Sequence, residues 1–415
     1  MSVDLSADDR AMLAGRDGEA AALAMRLVVE MANVWGADRL IDVTSAHVDS
    51  CLYHGRAGLD FAERLVAGGA RVRVPTTLNV SSLDLLHPTL VRLDRATTAS
   101  ARRLMEVYVA MGGRPTWTCA PYQLPERPSF GEHVAWAESN AIVFANSVLG
   151  ARTNRYGDFI DICGAITGRV PEAGLHTDEG RRARVVVRLE DVPERLLRDD
   201  VVGACLGHLL GGIAGSDVAA IVGLPADASE DLLKALGAGA ASSGAVAMFH
   251  AVGVTPEAPT LEAATGGVPP EREVVITGAD LRAARDELTT TGTGAVSAVS
   301  VGTPHLSADE LARLERLVAG HPPTVPLYAN LARDLAPAAV GLRHAGVAVV
   351  SDTCTYITPI LHGIDGPVMT NSAKWAWYAP ANLGFDVVFG SLEECVRSAE
   401  LGRVWRDPDL WGDDA

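Results

Sequence analysis

Short apolar runs alternate with amphipathic stretches along most of this chain, and that rhythm constrains its fold more than any single motif. Residues 39–43 (RLIDV) have the pattern of a strand, 57–67 that of a helix with one apolar face, and 71–74 that of a second strand. Strands joined through helices in this way predict parallel sheet covered by helices, an α/β fold. The rhythm continues with a helix near 99–111, a strand near 116–118 and a long helix from about 132 to 148. Beyond it, 184–189, 218–222, 274–277, 298–301, 325–328, 347–350 and 386–389 read as strands. Ser6 with Asp9, and Ser307 with Glu310, have the spacing of helix N-terminal caps, and 19–35 carries apolar residues at helical spacing.

A chain of 415 residues has room for two or three domains. Residues 253–271, rich in Pro, Gly, Ala and Thr, predict a loop or boundary between an N-terminal α/β region (1–252) and a C-terminal one (272–400), with 401–415 as a tail ending in a solvated WGDDA. The most apolar stretch, 201–223, contains His208, Ser216, Asp217 and six glycines, so a buried helix followed by a strand is expected there instead of a membrane span. A net charge of −17 argues against nucleic-acid backbones and anionic membranes as partners. Six cysteines without a CxxC pair, behind a start lacking a basic and apolar leader, predict a cytoplasmic protein with reduced thiols.

In open α/β sheets ligands collect beyond the carboxyl ends of strands. Polar segments fall at several such places: 44–55 (with SAHVDSCLYHG), 75–79 (PTTLN), 119–122 (CAPY), 302–307 (GTPHLS) and 351–354 (SDTC). Cys51, Cys119 and Cys354 lie in them and are either buried thiols or soft ligands for a metal or iron–sulfur cluster; their spacing excludes a zinc ribbon. Cys163, Cys205 and Cys395 lie in apolar helical contexts and read as packing thiols. Within AWAESNAIVFANSVLGARTNR, Glu138 and Asn146 are either structural hydrogen-bonding groups or site residues, whereas Asn154 and Arg155 follow small residues and can approach an anion. TNSAKW, 370–375, places short hydrogen-bonding side chains and Lys374 at the start of a helix, which is a capping turn or an anion site.

Taken together, SAHVDSCLYHG, VPTTLNV, TCAPY, GEHVAWAESNAIVFANSVLGARTNR, SVGTPHLS, DTC and TNSAKWAWY resemble the large, catalytic part of aconitase X, from about residue 6 to about residue 400. The resemblance implies an aconitase-like multi-domain fold, with βαβ units around a central cleft and without the small swivelling domain, which a separate small subunit would supply as partner. It implies a hydro-lyase acting on a small carboxylate, here cis-3-hydroxy-L-proline dehydrated to pyrroline-2-carboxylate, with mevalonate 5-phosphate as the alternative substrate and a non-catalytic binding protein as the alternative class. The implied cofactor is an iron–sulfur cluster on Cys51, Cys119 and Cys354, whose iron would act as Lewis acid. His47, Glu138, Ser139, His305 and Lys374 are the candidate catalytic groups. Asp49, Thr76, Thr77, Asn79, Asn154, Arg155, Ser307, Asn371 and Ser372 are the candidate substrate contacts.

Overall fold

Residues 3–411 are described by the computed structural model, and the chain divides after Arg182 instead of at the expected 253–271. One unit comprises the residues up to Leu83 with Leu93–Arg182; the other comprises Asp84–Arg92 and the chain from Ala183 onward. Residues 253–271 lie inside the second unit, where they include the short helix Leu261–Thr265.

The first unit holds strands β1 (Leu40–Asp42), β2 (Ala46–Val48), β3 (Thr76–Leu78), β4 (Ala135–Trp136) and β5 (Arg169–Pro171). A parallel sheet runs in the order β3-β2-β4, with His47 opposite Thr77 on one side and Trp136 on the other, while β1 and β5 form an antiparallel pair. Helices Glu19–Trp35, Arg56–Ala67 and Arg95–Ala110 follow the expected apolar periodicity, and the first helix, Ala7–Leu13, starts at the Ser6–Asp9 capping box.

Three local expectations fail here, each for a visible reason. Residues 71–74 are not a strand, because Val72 N donates to Met111 O and Arg73 N to Ala165 O, and Pro75 has no N–H to extend a ladder. Residues 116–118 run beside β3, but Leu78 N is taken by the Thr116 hydroxyl, which breaks the regular pairing. The long helix at 132–148 is instead β4, then the helix Ser139–Phe144 and a widened turn Ala145–Leu149. Ala135 and Ala137 donate to the carbonyls of Ser45 and His47, so this apolar segment is a buried strand end that period alone cannot tell from a helix.

The second unit contains two parallel sheets. β6 (Val185–Glu190), β7 (Ala219–Val222), β8 (Phe249–Ala251) and β9 (Arg272–Thr277) are ordered β8-β7-β6-β9; β10 (Ala298–Leu306), β11 (Leu327–Leu331), β12 (Ala348–Val350), β13 (Val368–Thr370) and β14 (Val387–Phe389) are ordered β12-β11-β10-β13-β14. The motif 302–307 was expected to follow its strand, yet residues 302–306 lie within β10, where an irregularity in register separates Val301 opposite Ala329 from Leu306 opposite Leu331. Gly302 is required there, since a Cβ would stand 2.3 Å from the Asn330 carbonyl oxygen.

The apolar stretch at 201–223 is the helix Asp200–Ala214 followed by β7. Its glycines let the helix touch Glu230–Ser243 backbone to backbone: a Cβ on Gly207 would lie 2.2 Å from Leu236 O. Among the described residues no helix is long and apolar enough to cross a membrane. Cys163, Cys205 and Cys395 are buried inside helices.

The expected solvated tail begins as a buried anchor. Trp411 is fully buried, its indole N–H donates to Glu394 Oε1 at 2.9 Å, Arg285 lies 4.7 Å from its ring centre, and Arg282 donates to its carbonyl. The remaining tail positions, 412–415, lie outside the described residues. Trp411→Ala is expected to destabilise the protein by about 3–5 kcal/mol in urea unfolding; a change below about 1 kcal/mol would mean that the indole is not packed in solution.

Candidate active site

In the first unit the carboxyl ends of β2, β3 and β4 bring five predicted residues together. His47 is fully buried, its Nδ1 is 2.8 Å from Thr77 Oγ1, its ring lies 5.9 Å from that of Trp136, and its Nε2 has no hydrogen-bond partner. Just beyond β3, Asn79 donates its side-chain amide to Asp49, which follows β2. Beyond β4, Glu138 adopts a φ of +76°, a strained conformation for a residue with a side chain, and caps the helix Ser139–Phe144. Its carboxylate accepts Ala141 N at 2.8 Å, Asn140 Nδ2 at 2.9 Å and Ser139 Oγ at 3.2 Å.

Asp161 holds the turn after β2. This buried carboxylate accepts Asp49 N, Ser50 N and the Ser50 hydroxyl at 2.8, 3.0 and 3.0 Å, and Tyr108 in turn donates to Ser50. Sequence reading missed both Asp161 and Tyr108, since they approach the motif from helices far along the chain. Asn140, a polar residue of the same motif to which the sequence assigned no role, locks the loop of Cys119 by donating to the Cys119 carbonyl while accepting from Tyr122.

Burial sets the protonation states. It pushes His47 down to about 4, against an opposing pull from the charge of Glu138, so the imidazole is neutral at pH 7. It pushes Asp49 up to about 8, with Glu138 and Asp158 adding repulsion, and Asp161 up to about 6. Asp49 is therefore held largely in its protonated form at neutral pH, beside a neutral imidazole.

Other predicted residues of this unit have structural duties. Asn154 donates to Ala173 O and accepts Leu175 N, which commits its amide to a turn instead of a ligand. Asn146 holds Thr153 and Arg181, as the structural reading of that residue expected. Thr76 donates to Val74 O and, with Thr77, Ser45 and Trp136, lines a cavity of about 220 Å³; Arg155 is exposed. Cys51 is buried with its thiol 3.3 Å from Asn79 O and 3.4 Å from Val48 O, and burial together with Asp49 and Asp161 raises its pKa.

In the second unit His305 is fully buried on β10, with Nε2 3.2 Å from Thr353 O and 3.9 Å from Cys354 Sγ. Cys354 is presented by the turn after β12. There Asp352, at φ +63°, takes a two-pronged contact from Arg333 at 2.9 and 2.8 Å, and Asp84 accepts Ser351 N at 2.9 Å. A cysteine sulfur and an imidazole at this separation match two donors around one metal ion. Lys374 is buried, 5.9 Å from the ring centre of Tyr356, at the start of helix Ala373–Leu383, and Ser372 caps that helix by accepting Trp375 N. Ser307, expected to touch substrate, caps helix Ala308–Gly320 and donates to Asp231 at 2.7 Å, so its hydroxyl is committed.

Three family models match in succession: aconitase X first domain over residues 2–179, second domain over 183–286 and third domain over 296–400. The chain is 45% identical over 410 residues to the cis-3-hydroxy-L-proline dehydratase of Pseudomonas aeruginosa, covering 96% of this chain and 70% of that one. It is 37% identical over 407 residues to the phosphomevalonate dehydratase large subunit of Methanothermobacter thermautotrophicus, covering 95% and 98% respectively. The solved structure of Thermococcus kodakaraensis aconitase X in its holo-form matches with a TM-score of 0.85 at 31% identity, over 96% of this chain and 100% of that one.

The unusual state of Asp49 has a stability signature. Its carboxyl ionises near 4 in an unfolded chain and near 8 in the folded one, so folding stability is lost as pH rises across that interval. Asp49→Asn removes this loss, and its stability relative to wild type is expected to be higher at pH 8 than at pH 5 in urea unfolding. Equal differences at the two pH values would show that Asp49 ionises normally.

Proposed function

The chain belongs to the aconitase X family, and from that membership we propose that it is a hydro-lyase converting cis-3-hydroxy-L-proline to pyrroline-2-carboxylate. The observation that carries this reading is the trio His47, Asp49 and Glu138, coupled electrostatically at the strand ends of the first unit. Dehydration removes the proton alpha to a carboxylate and expels hydroxide, together with a proton, from the neighbouring carbon. Neutral His47, whose protonated form is favoured by the charge of Glu138 and by Asn79, is suited to accept a proton, and protonated Asp49 is suited to give one to the departing oxygen. Glu138 and Ser139 orient the reacting groups, while Asn371, Ser372 and Lys374 in the second unit are proposed to hold the substrate carboxylate.

An iron–sulfur cluster is the proposed cofactor, with Cys51, Cys119 and Cys354 as protein ligands and His305 beside Cys354. When bound, it supplies an iron Lewis acid for the substrate hydroxyl. The pairing of the Cys354 sulfur, a soft donor, with the His305 imidazole, a ligand that suits iron, supports this choice. The thiol of Cys51, which lies against the Val48 and Asn79 carbonyls, must give up its proton to ligate, so cluster binding is expected to strengthen with pH. A small swivelling-domain subunit is the proposed partner, and the cytoplasm the proposed location.

Hydroxyproline is preferred over mevalonate 5-phosphate partly because Arg152, the cation best placed in sequence to bind a phosphate with Arg155, is already engaged by Asp178 at 2.5 Å and by the His176 carbonyl. The decisive assay supplies both substrates anaerobically to the purified chain, with and without a co-expressed small subunit. Turnover of mevalonate 5-phosphate alone would reject the substrate assignment.

Two further outcomes are expected. Asp49→Asn should lower kcat by about 100-fold or more, and wild-type activity should fall above about pH 8 as Asp49 loses its proton. Cys354→Ser should lose bound iron and visible absorbance, and an unchanged iron content would remove Cys354 from the ligand set.

A further inference from the structure

The turn that presents Cys354 continues into Thr355, a fully buried residue of the second unit whose hydroxyl meets three other side chains. Thr355 Oγ1 lies 2.7 Å from Ser300 Oγ on β10, 3.3 Å from Asn330 Nδ2 on β11 and 3.0 Å from the Trp375 indole nitrogen in helix Ala373–Leu383. Asn330 Oδ1 accepts Thr355 N at 3.1 Å while its Nδ2 donates to Val301 O at 2.8 Å, which fixes the direction of the amide. An indole N–H and an amide NH2 can only donate, so they take both lone pairs of the hydroxyl, and its one proton goes to Ser300 Oγ. Every hydrogen-bonding position of Thr355 Oγ1 is thereby filled by protein.

The surroundings of this hydroxyl are themselves anchored. Cys354 O accepts Ile357 N and Thr358 N, both at 3.2 Å, and Thr353 Oγ1 lies 2.6 Å from Thr358 Oγ1. Past the far end of β10, Ser307 donates to Glu310 and Asp231, and the buried ammonium of Lys234 joins those two carboxylates. The residue after Thr355 makes a parallel connection: Lys374 Nζ is 5.9 Å from the ring centre of Tyr356, which stacks on Tyr378 at 5.7 Å. Two consecutive residues after Cys354 thus touch two consecutive residues at the helix start, Trp375 and Lys374. In a close-packed interior, a shift of the turn is passed on to the ammonium.

We propose that Thr355 is a positioning residue that ties Lys374 to the Cys354 turn, through its hydrogen bond to Trp375 and the neighbouring contact of Tyr356 with Lys374, so that loading of the metal site tightens the hold on the substrate carboxylate. This rests on the proposed function, in which Cys354 is a cluster ligand and Lys374 a carboxylate contact. By linkage, the carboxylate in turn strengthens metal binding by the same factor.

Three variants of the purified protein test the link. Thr355→Val keeps the side-chain shape but leaves the buried Trp375 N–H without its acceptor, Thr355→Ser keeps the hydroxyl, and Trp375→Phe removes the donor alone. After anaerobic reconstitution, Thr355→Val should hold less than about half of the wild-type iron and raise KM about five-fold, with a smaller change in kcat, and Thr355→Ser should restore both. Trp375→Phe should keep its iron and visible absorbance yet show the same rise in KM. L-proline, which lacks the departing hydroxyl, reports the hold on the carboxylate: in calorimetry it should bind iron-loaded wild type about five-fold more tightly than iron-free wild type, and equally to both forms of Trp375→Phe. Equal binding to the two wild-type forms, wild-type KM in Trp375→Phe, or a Thr355→Ser variant no better than Thr355→Val would overturn the proposal. If Thr355→Val does not fold, Trp375→Phe and the L-proline comparison decide. A wild-type chain that binds neither iron nor L-proline would instead reject the proposed function, and that result is seen before any variant is made.

Discussion

Parallel strands of two or three residues are followed at once by tight turns, and in three of those turns buried carboxylates take up the backbone N–H groups. Asp161 gathers the turn after β2, Glu138 the helix start after β4, and Asp84 the turn after β12. Such charge-assisted bonds are stronger than neutral ones and set the direction in which each following side chain projects. Because strand ends in α/β sheets are also where ligands gather, anchoring and chemistry share the same few residues. The raised pKa values of Asp49 and Asp161 are the counterpart of that arrangement, since carboxyl groups withdrawn from water favour their protonated form.

Much of the fold was legible. The run at 39–43, the helices at 19–35 and 57–67, and the caps at Ser6 and Ser307 all appear where apolar period and turn chemistry place them. What escaped were segments whose period carries no information. Residues 135–137 are apolar throughout because this strand, although at the edge of its sheet, is buried on both faces, and 302–306 pass through an irregular strand under the constraint of Gly302. The division after Arg182 left no compositional mark, whereas the Pro- and Gly-rich 253–271 belongs to the interior connections of a unit.

The candidate site divides in the same way. His47, Asp49, Thr77, Asn79 and Glu138 stand out as polar residues at strand ends, and the structure assembles them. Asp161 and Arg333 do not stand out, because each acts on a turn distant in sequence, and an isolated charged residue carries no sign of its partner. Ser307 and Asn154 show the reverse error. A hydroxyl or amide that can bind a ligand can equally close a turn, and only its neighbours decide which.

Glu310 closes the capping box of helix Ala308–Gly320 and is also the counter-charge of Lys234, which lies in the stretch matched by the second-domain model. The start of one helix cannot fray without stripping a buried ammonium that belongs to the neighbouring sheet layer. Although the second unit spans two family domains, it is therefore built to open cooperatively: amide protons of helices Glu230–Ser243 and Ala308–Gly320 would exchange with solvent as one foldon, at one free energy.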